Sequence, residues 1–326
     1  MNEVKWGIIG AGNIANKFAE DIKLADNSKL IACSSKDPAK ADNFMKRHKL
    51  EHAYGSYDEM LRNDAVDAVY ISTTHNFHFE NALLCIKHGK NVLCEKPFTM
   101  NALQAEQVFE KANEKKVFVM EGMWTRFLPV TTRLNDQIKN GEIGKPMSVF
   151  AEFGVKFPYL PESRAFNMNL AGGGLLDLGI YAISFACNIF GNHPVKIESE
   201  VKMGQTGVDE EARIVLTYSE GRTATLRYSM MENYKNSATI TGTKGDISVD
   251  SVFMPSKTTL KKSDGYSADF ENTGHNGFEF EIQAATDMIL QGELQSPVIR
   301  WTDTVEMLRI CDTLRSKWNF KYPEEK

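Results

Sequence analysis

The sequence predicts an α/β protein, with a parallel sheet in residues 1–121 and a large antiparallel sheet in the remainder. Three observations carry this. Short apolar runs alternate with helical segments as far as Met120. A glycine turn, Gly10-Ala-Gly-Asn-Ile-Ala15, joins the first apolar run to the first helix. From Val195 onward, strand-like runs follow one another with turn signals and few helices.

In order, residues 4–9 read as a strand, 13–24 as a helix and 29–34 as a strand. A helix over 38–48 follows, with Pro38 suited to a first helical turn. A short strand at 52–54 precedes a helix at 57–62. A strand at 67–71 leads to a helix at 76–88, stopped by Gly89. Strand 91–94, helix 102–115 and strand 117–120 complete the alternation. Apolar strands between helices imply a sheet covered on both faces. Ligands of such sheets bind beyond the carboxyl ends of the strands. After Gly122 the pattern changes. Residues 129–140 read as a connecting helix, 147–157 as a long alternating strand and 172–190 as helical. Strands are expected at 195–203, 211–218, 223–231, 238–242 and 246–249, and helices at 278–290 and 304–318. The expected division is therefore 1–121 and 122–326.

A length of 326 residues suits about two domains. With 42% apolar and 25% charged residues, the composition is that of a globular protein. A net charge of −5 without a basic run gives no electrostatic footprint for nucleic acid. No stretch reads as the ~18 apolar residues of a membrane span. The N-terminus enters a strand directly, so no signal peptide is expected. Five scattered cysteines without a C-x-x-C pair predict a reducing, cytoplasmic setting with neither disulfides nor a zinc site.

The glycine turn has the form G-x-G-x-x-A. Gly10 permits the tight turn, Gly12 lets backbone approach a pyrophosphate, and Ala15 lets the helix lie close on the strand. Gly10, Gly12, Asn13 and Ile14 are thus candidate dinucleotide contacts at a helix N-terminus, which favours phosphate. NAD sites place an acid at the end of the second strand; NADP sites replace it. Here that strand ends Cys33-Ser34-Ser35-Lys36-Asp37. Ser34, Ser35 and Lys36 offer hydroxyls and a cation, which points to NADP rather than NAD. Asp37 stands where it can cap the helix at Pro38 instead.

Three further segments should meet at the strand ends. Thr73, Asn76 and His78 offer hydroxyl, amide and imidazole near a nicotinamide ribose. His75 and His78 have no carboxylate or cysteine to complete a metal set, and His78 also reads as a structural histidine early in its helix. Glu95-Lys96-Pro97 follows the fifth strand, with Lys96 aimed at the ligand and Pro97 a candidate cis proline. Gly172-Gly-Gly-Leu-Leu-Asp177-Leu-Gly-Ile-Tyr181 puts an acid and a phenol four residues apart, on one helix face.

Together these segments resemble the glucose–fructose oxidoreductase/inositol dehydrogenase (Gfo/Idh/MocA) family over essentially the whole chain. Glu121-Gly-Met-Trp124-Thr-Arg126-Phe127 is similar to its dimeric dihydrodiol dehydrogenase branch, which includes NADP-dependent D-xylose dehydrogenases. Many members carry histidine four residues after the aspartate. Tyr181 stands there in this chain, which argues against an inositol-dehydrogenase-like site. The resemblance implies an N-terminal Rossmann domain and a C-terminal α/β domain built on an open antiparallel sheet. It implies a last helix packed back towards the N-terminal domain, and a homodimer, or higher oligomer, formed through the open sheet face. It makes Lys96 and Tyr181 a catalytic pair, with Asp177 beside them and Glu95 and Lys96 at the cofactor. It lines the substrate pocket with Trp124, Phe153, Asp177 and Phe278, and also matches Arg164.

The chemistry so implied moves a hydride between nicotinamide and a secondary alcohol, cyclic diol or sugar hemiacetal. A proton must leave the hydroxyl as the hydride goes, so a base is needed within hydrogen-bond reach. Tyr181 is the expected base, with the Lys96 cation favouring its ionised form. The alternative is a sensor of the same fold that binds dinucleotide and turns nothing over.

Overall fold

A computed structural model of the protein describes residues 2–272 and 276–325. It resolves into two compact units, Met1–Phe127 with Asn276–Val305, and Leu128–His275 with Glu306–Lys326.

The first unit begins β1 (Val4–Ile9), α1 (Asn13–Asp21), β2 (Ser28–Ser34) and α2 (Pro38–His48). It continues β3 (His52–Tyr54), α3 (Tyr57–Leu61), β4 (Ala68–Ile71) and α4 (His78–Lys87), then β5 (Asn91–Glu95), α5 (Ala102–Lys115) and β6 (Val119–Gly122). The six strands form one parallel sheet in the order β3-β2-β1-β4-β5-β6. The chain order reverses beside β1, and ligands of such sheets bind at that reversal. β4 is buried throughout and β1 exposes only Lys5, as strands covered on both faces must be. Phe18 of α1 fastens helix to sheet: its ring stacks on Tyr70 at 4.0 Å and meets Trp6 edge-on at 5.7 Å.

The second unit holds α6 (Pro129–Lys139), β7 (Pro146–Gly154), α7 (Ile180–Phe190), β8 (Lys196–Met203) and β9 (Asp209–Thr217). After them come β10 (Thr223–Ser229), β11 (Ala238–Gly242), β12 (Gly245–Val249), β13 (Lys257–Lys262) and β14 (Ser267–Glu271). Its eight strands run in the order β14-β13-β12-β11-β7-β10-β9-β8. The expected antiparallel sheet needs one correction, because the central pair β7 and β10 is parallel. The chain passes through α7, β8 and β9 before returning, a crossover long enough for parallel pairing. β13 and β14 escaped the sequence reading because they are short and charged. Their pairing is marked by Lys257, which bridges Asp269 at 2.6 Å and Glu271 at 2.8 Å across the edge.

The segment Met168–Phe190 is long and apolar enough to cross a membrane by length and composition, contrary to the sequence reading, but 89% of that window is buried. It is the core helix of the second unit. Glycines let it approach the sheet: a Cβ at Gly174 or Gly179 would stand 2.5 and 2.8 Å from Tyr228 ring carbons.

The sequence reading cut the chain once, after residue 121, whereas α8 (Phe278–Gln291) and the start of α9 (Trp301–Lys317) belong to the first unit. In α8, Ile282 and Ala285 are fully buried and Thr286 bonds Ser28 of β2 at 2.7 Å. At the start of α9, Trp301 Nε1 donates to Val119 O at 2.8 Å and Thr304 Oγ1 donates to Glu121 at 2.8 Å. None of the five cysteines is in a disulfide, and all are buried.

α8 also buries Glu281 completely, and neither carboxyl oxygen has a hydrogen-bond partner among the described residues. Burial, then the charges of Glu95 and Asp21, push its carboxyl well above the ordinary range. Asp21 is itself paired with Lys17 at 2.8 Å. Of the Glu95–Glu281 pair, Glu95 holds the donors, Tyr70 Oη and the Lys96 N–H, so the charge sits on Glu95 and the proton on Glu281. A carboxyl raised in the folded state binds its proton more tightly there than in the unfolded chain. It therefore subtracts stability as pH rises above the unfolded value of about 4.3. Glu281→Gln removes this penalty. It is expected to raise Tm at pH 8, by about 2–4 °C per kcal/mol recovered, and to have little effect near pH 4. Thermal melts across that range check it; a gain independent of pH would point to packing instead.

Candidate active site

At the carboxyl ends of β1 and β4, two loops meet. Gly10 adopts φ +97, and a Cβ there would lie 3.1 Å from Ser72 backbone atoms, so glycine is required twice over. Ser72 Oγ donates back to Gly10 O at 2.9 Å. Gly12 differs: a Cβ on it would meet no protein atom within 4 Å. Packing within the chain does not demand that glycine, and the space above the turn is open to a ligand. Gly12 is also the N-cap of α1 and supplies no side-chain cap, so the first turn presents its N–H groups to an anion. Asn13 and Ile14, which follow, are exposed. These features fit a dinucleotide pyrophosphate.

At the end of β2 the predicted residues separate. Ser34 is fully buried and its hydroxyl donates to Ile8 O at 3.1 Å. Its role is therefore corrected from phosphate ligand to a tie between β2 and β1. Ser35 Oγ accepts from Asp37 N at 3.2 Å, and Asp37 Oδ1 caps α2 through Ala39 N at 3.0 Å. Lys36 is exposed, its Nζ 4.5 Å from the Phe77 ring centroid. A cation on an aromatic platform, with the neighbouring acid turned to helix capping, suits a ribose phosphate.

Beyond β4, Thr73 Oγ1 accepts from Asn81 at 3.2 Å and Thr74 Oγ1 donates to the buried Asn76 at 2.8 Å. His78 is fully buried and braces two loops, its Nδ1 lying 2.8 Å from Pro97 O and its Nε2 3.1 Å from Thr73 O. Burial lowers its pKa despite those carbonyls. A neutral ring carries one proton, which on Nδ1 is donated to Pro97 O in the shorter contact and leaves Nε2 without a proton for Thr73 O.

β5 ends at Glu95, and the Lys96–Pro97 bond that follows is cis. Glu95 is buried, and burial raises its pKa against the hydrogen bond from Tyr70 and the Lys96 charge. Lys96 is half-buried. Glu121, on neighbouring β6, accepts from Phe98 N at 3.1 Å and steadies the same loop. Trp124 and Phe278, both buried, meet in this unit with ring centroids 5.1 Å apart.

The second unit gathers the others. Leu175–Gly179 forms one turn of π-helix that runs into α7; such turns recur at functional sites. The turn carries Asp177, whose Oδ1 lies 3.2 Å from Arg164 Nη1. Asp177 is 5% exposed while the Arg164 side chain is 52% exposed. Tyr181 meets Phe153 edge-on at 5.6 Å and Phe253 at 5.2 Å, and the two phenylalanines stack at 5.1 Å. The sequence reading missed Phe253. It lies in an irregular stretch after β12, and only the fold brings it to Tyr181. The predicted substrate residues thus fall into two sets, Trp124 with Phe278 and Phe153 with Arg164, Asp177 and Tyr181.

The family model for the GFO/IDH/MocA oxidoreductases, NAD-binding Rossmann fold, matches residues 4–123. The model for the GFO/IDH/MocA C-terminal domain matches residues 131–248. A trans-1,2-dihydrobenzene-1,2-diol dehydrogenase of Xenopus tropicalis is 32% identical, over 98% of this chain and 99% of its own. The Mus musculus protein of that name is also 32% identical, over 99% of both. A 3-ketoreductase from Actinomadura kijaniata, crystallised with NADP and TDP-benzene, is 26% identical with a TM-score of 0.86, over 97% of this chain and 98% of its own. An aldose-aldose oxidoreductase from Caulobacter crescentus, 22% identical, shares the fold with a TM-score of 0.88, over 96% of this chain and 97% of its own.

Proposed function

Because the chain belongs to the GFO/IDH/MocA oxidoreductase family, we propose that it is an NADP-dependent dehydrogenase or reductase acting on a secondary alcohol, cyclic diol or sugar hemiacetal. The observation that carries the cofactor reading is the end of β2. Lys36 is exposed over Phe77 there, and Asp37 is engaged as a helix cap. Gly10, Gly12, Asn13, Ile14, Ser35, Thr73, Asn76, Glu95 and Lys96 complete the proposed cofactor set. The dihydrodiol dehydrogenase relatives and the NADP-bound ketoreductase support the substrate class and the cofactor.

NADP, when bound, supplies the nicotinamide carbon that accepts or gives the hydride. The chain's own residues handle the proton and the charge. In oxidation, Tyr181 Oη takes the proton of the reacting hydroxyl as the carbon–hydrogen bond breaks; in reduction it returns one to the carbonyl oxygen. Phe153 and Phe253 hold the Tyr181 ring and exclude water from it. Lys96 supplies the positive charge that stabilises the reacting oxygen. Asp177, held by Arg164, orients a substrate hydroxyl. Trp124, Phe153 and Phe278 offer apolar faces to a small ring. A homodimer across the open face of the second sheet is part of the same reading. Phe150, in the central strand β7, is 37% exposed there.

The test is reduction of NADP+ and of NAD+ across a panel of aldoses and cyclic diols. Turnover with NADP+ is expected, and tight NADPH binding without turnover on any member would favour a sensor. Lys36→Ala is expected to weaken NADP affinity about tenfold, or 1.4 kcal/mol, and to leave NAD affinity unchanged. Equal losses for both would remove Lys36 from the 2′-phosphate site.

A further inference from the structure

The turn that bears Asp177 and leads into Tyr181 of α7 is gripped from outside its own helix. Leu175 N donates to Asp209 Oδ2 at 2.6 Å, and Tyr228 Oη donates to the same oxygen at 2.6 Å. Asp209 opens β9 and is fully buried. Gly173, at φ +127, passes so close that a Cβ would lie 2.5 Å from Asp209 Oδ1. Tyr322 Oη donates to Gly172 O at 2.9 Å, and the chain end carrying Tyr322 is anchored by Arg315 and Glu325 at 2.6 Å. β9, β10 and the C-terminal segment thus converge on Gly172–Leu175.

We infer that Asp209 is a positioning residue for the reaction: by gripping Leu175 N–H and Tyr228 Oη, it sets where Asp177 and Tyr181 stand. This rests on the function proposed above. Burial pushes the Asp209 carboxyl up to about 6, against the two hydrogen bonds and the Arg315 charge, which favour ionisation. Facing it are Tyr228 from β10, Tyr322 from the C-terminal segment and Arg315 from α9, with Cys311 and Glu325 acting on Tyr322. Burial raises both phenols well above their ordinary value, so they remain neutral donors. Of Asp209 and the two phenols, Asp209 is the one that changes charge near pH 6. Its protonation turns two charge-assisted hydrogen bonds into weaker neutral ones and loosens the turn.

Asp209→Asn and Tyr228→Phe test this, with steady-state kinetics against pH and amide hydrogen exchange over residues 173–181. Wild type is expected to lose kcat on the acid side with an apparent pKa of about 6. Asp209→Asn should lower kcat about tenfold with KM within about twofold, the scale of a small misplacement of reacting groups, and should abolish that acid limb. Tyr228→Phe keeps the ring but removes a donor to the carboxylate, so the acid limb should move to higher pH. A merely structural role would leave it in place. Exchange at Leu175 should quicken at least tenfold in Asp209→Asn. Unchanged kcat and acid limb in Asp209→Asn, or unaltered exchange at Leu175, would overturn the inference. If wild type turns over no substrate, the function reading fails, and the exchange measurement still decides the grip on Leu175.

Discussion

Tyr181→Phe is expected to lower kcat about 10²–10⁴-fold, the range for loss of a positioned proton carrier, with NADP(H) affinity kept. The substitution is gentle on the fold. The Tyr181 ring packs edge-on against Phe153 and Phe253, and phenylalanine preserves both contacts. A fall in kcat can then be read as lost proton transfer, provided Tm holds. The measurement is kcat and KM with saturating NADP(H), together with dinucleotide affinity by fluorescence. Turnover at the wild-type rate would remove Tyr181 from acid–base chemistry and leave it as a packing residue of α7.

Lys96→Met should have an effect of similar size for a different reason. Methionine keeps the length and apolar stem of the side chain and removes its charge. The expected loss in kcat is about 10²–10³-fold, as for removing one stabiliser of a charged transition state, with dinucleotide affinity within severalfold. Neighbouring Glu95 sharpens the reading. It is buried and already bonded to Tyr70 and to the Lys96 backbone, so those anchors survive the substitution. If dinucleotide binding collapses while the turnover of loaded enzyme persists, Lys96 is a cofactor anchor and its catalytic role falls.

What was legible in the sequence follows from the range of the interactions. The turn from β1 to α1 is specified within a few residues. An apolar strand, Gly10 with its positive φ and small Ala15 against the sheet all act on neighbours, so the pattern is visible in the chain. Asp37 as a cap for α2 was equally local. Ser34 was misread because the same local pattern cannot tell a strand-end hydroxyl facing a ligand from one spent on an adjacent strand. The β1–β2 pairing decides that.

The chain alone shows a dinucleotide-type glycine turn, a lysine just past the fifth strand, and an acid four residues before a tyrosine. These are properties of period and spacing. It takes the folded chain to show that Phe253 flanks Tyr181, that α8 buries Glu281 beside Glu95, and that Asp209 grips Leu175 from 34 residues away. Each of those depends on desolvation and on partners distant in sequence, and neither exists until the sheet has closed over them.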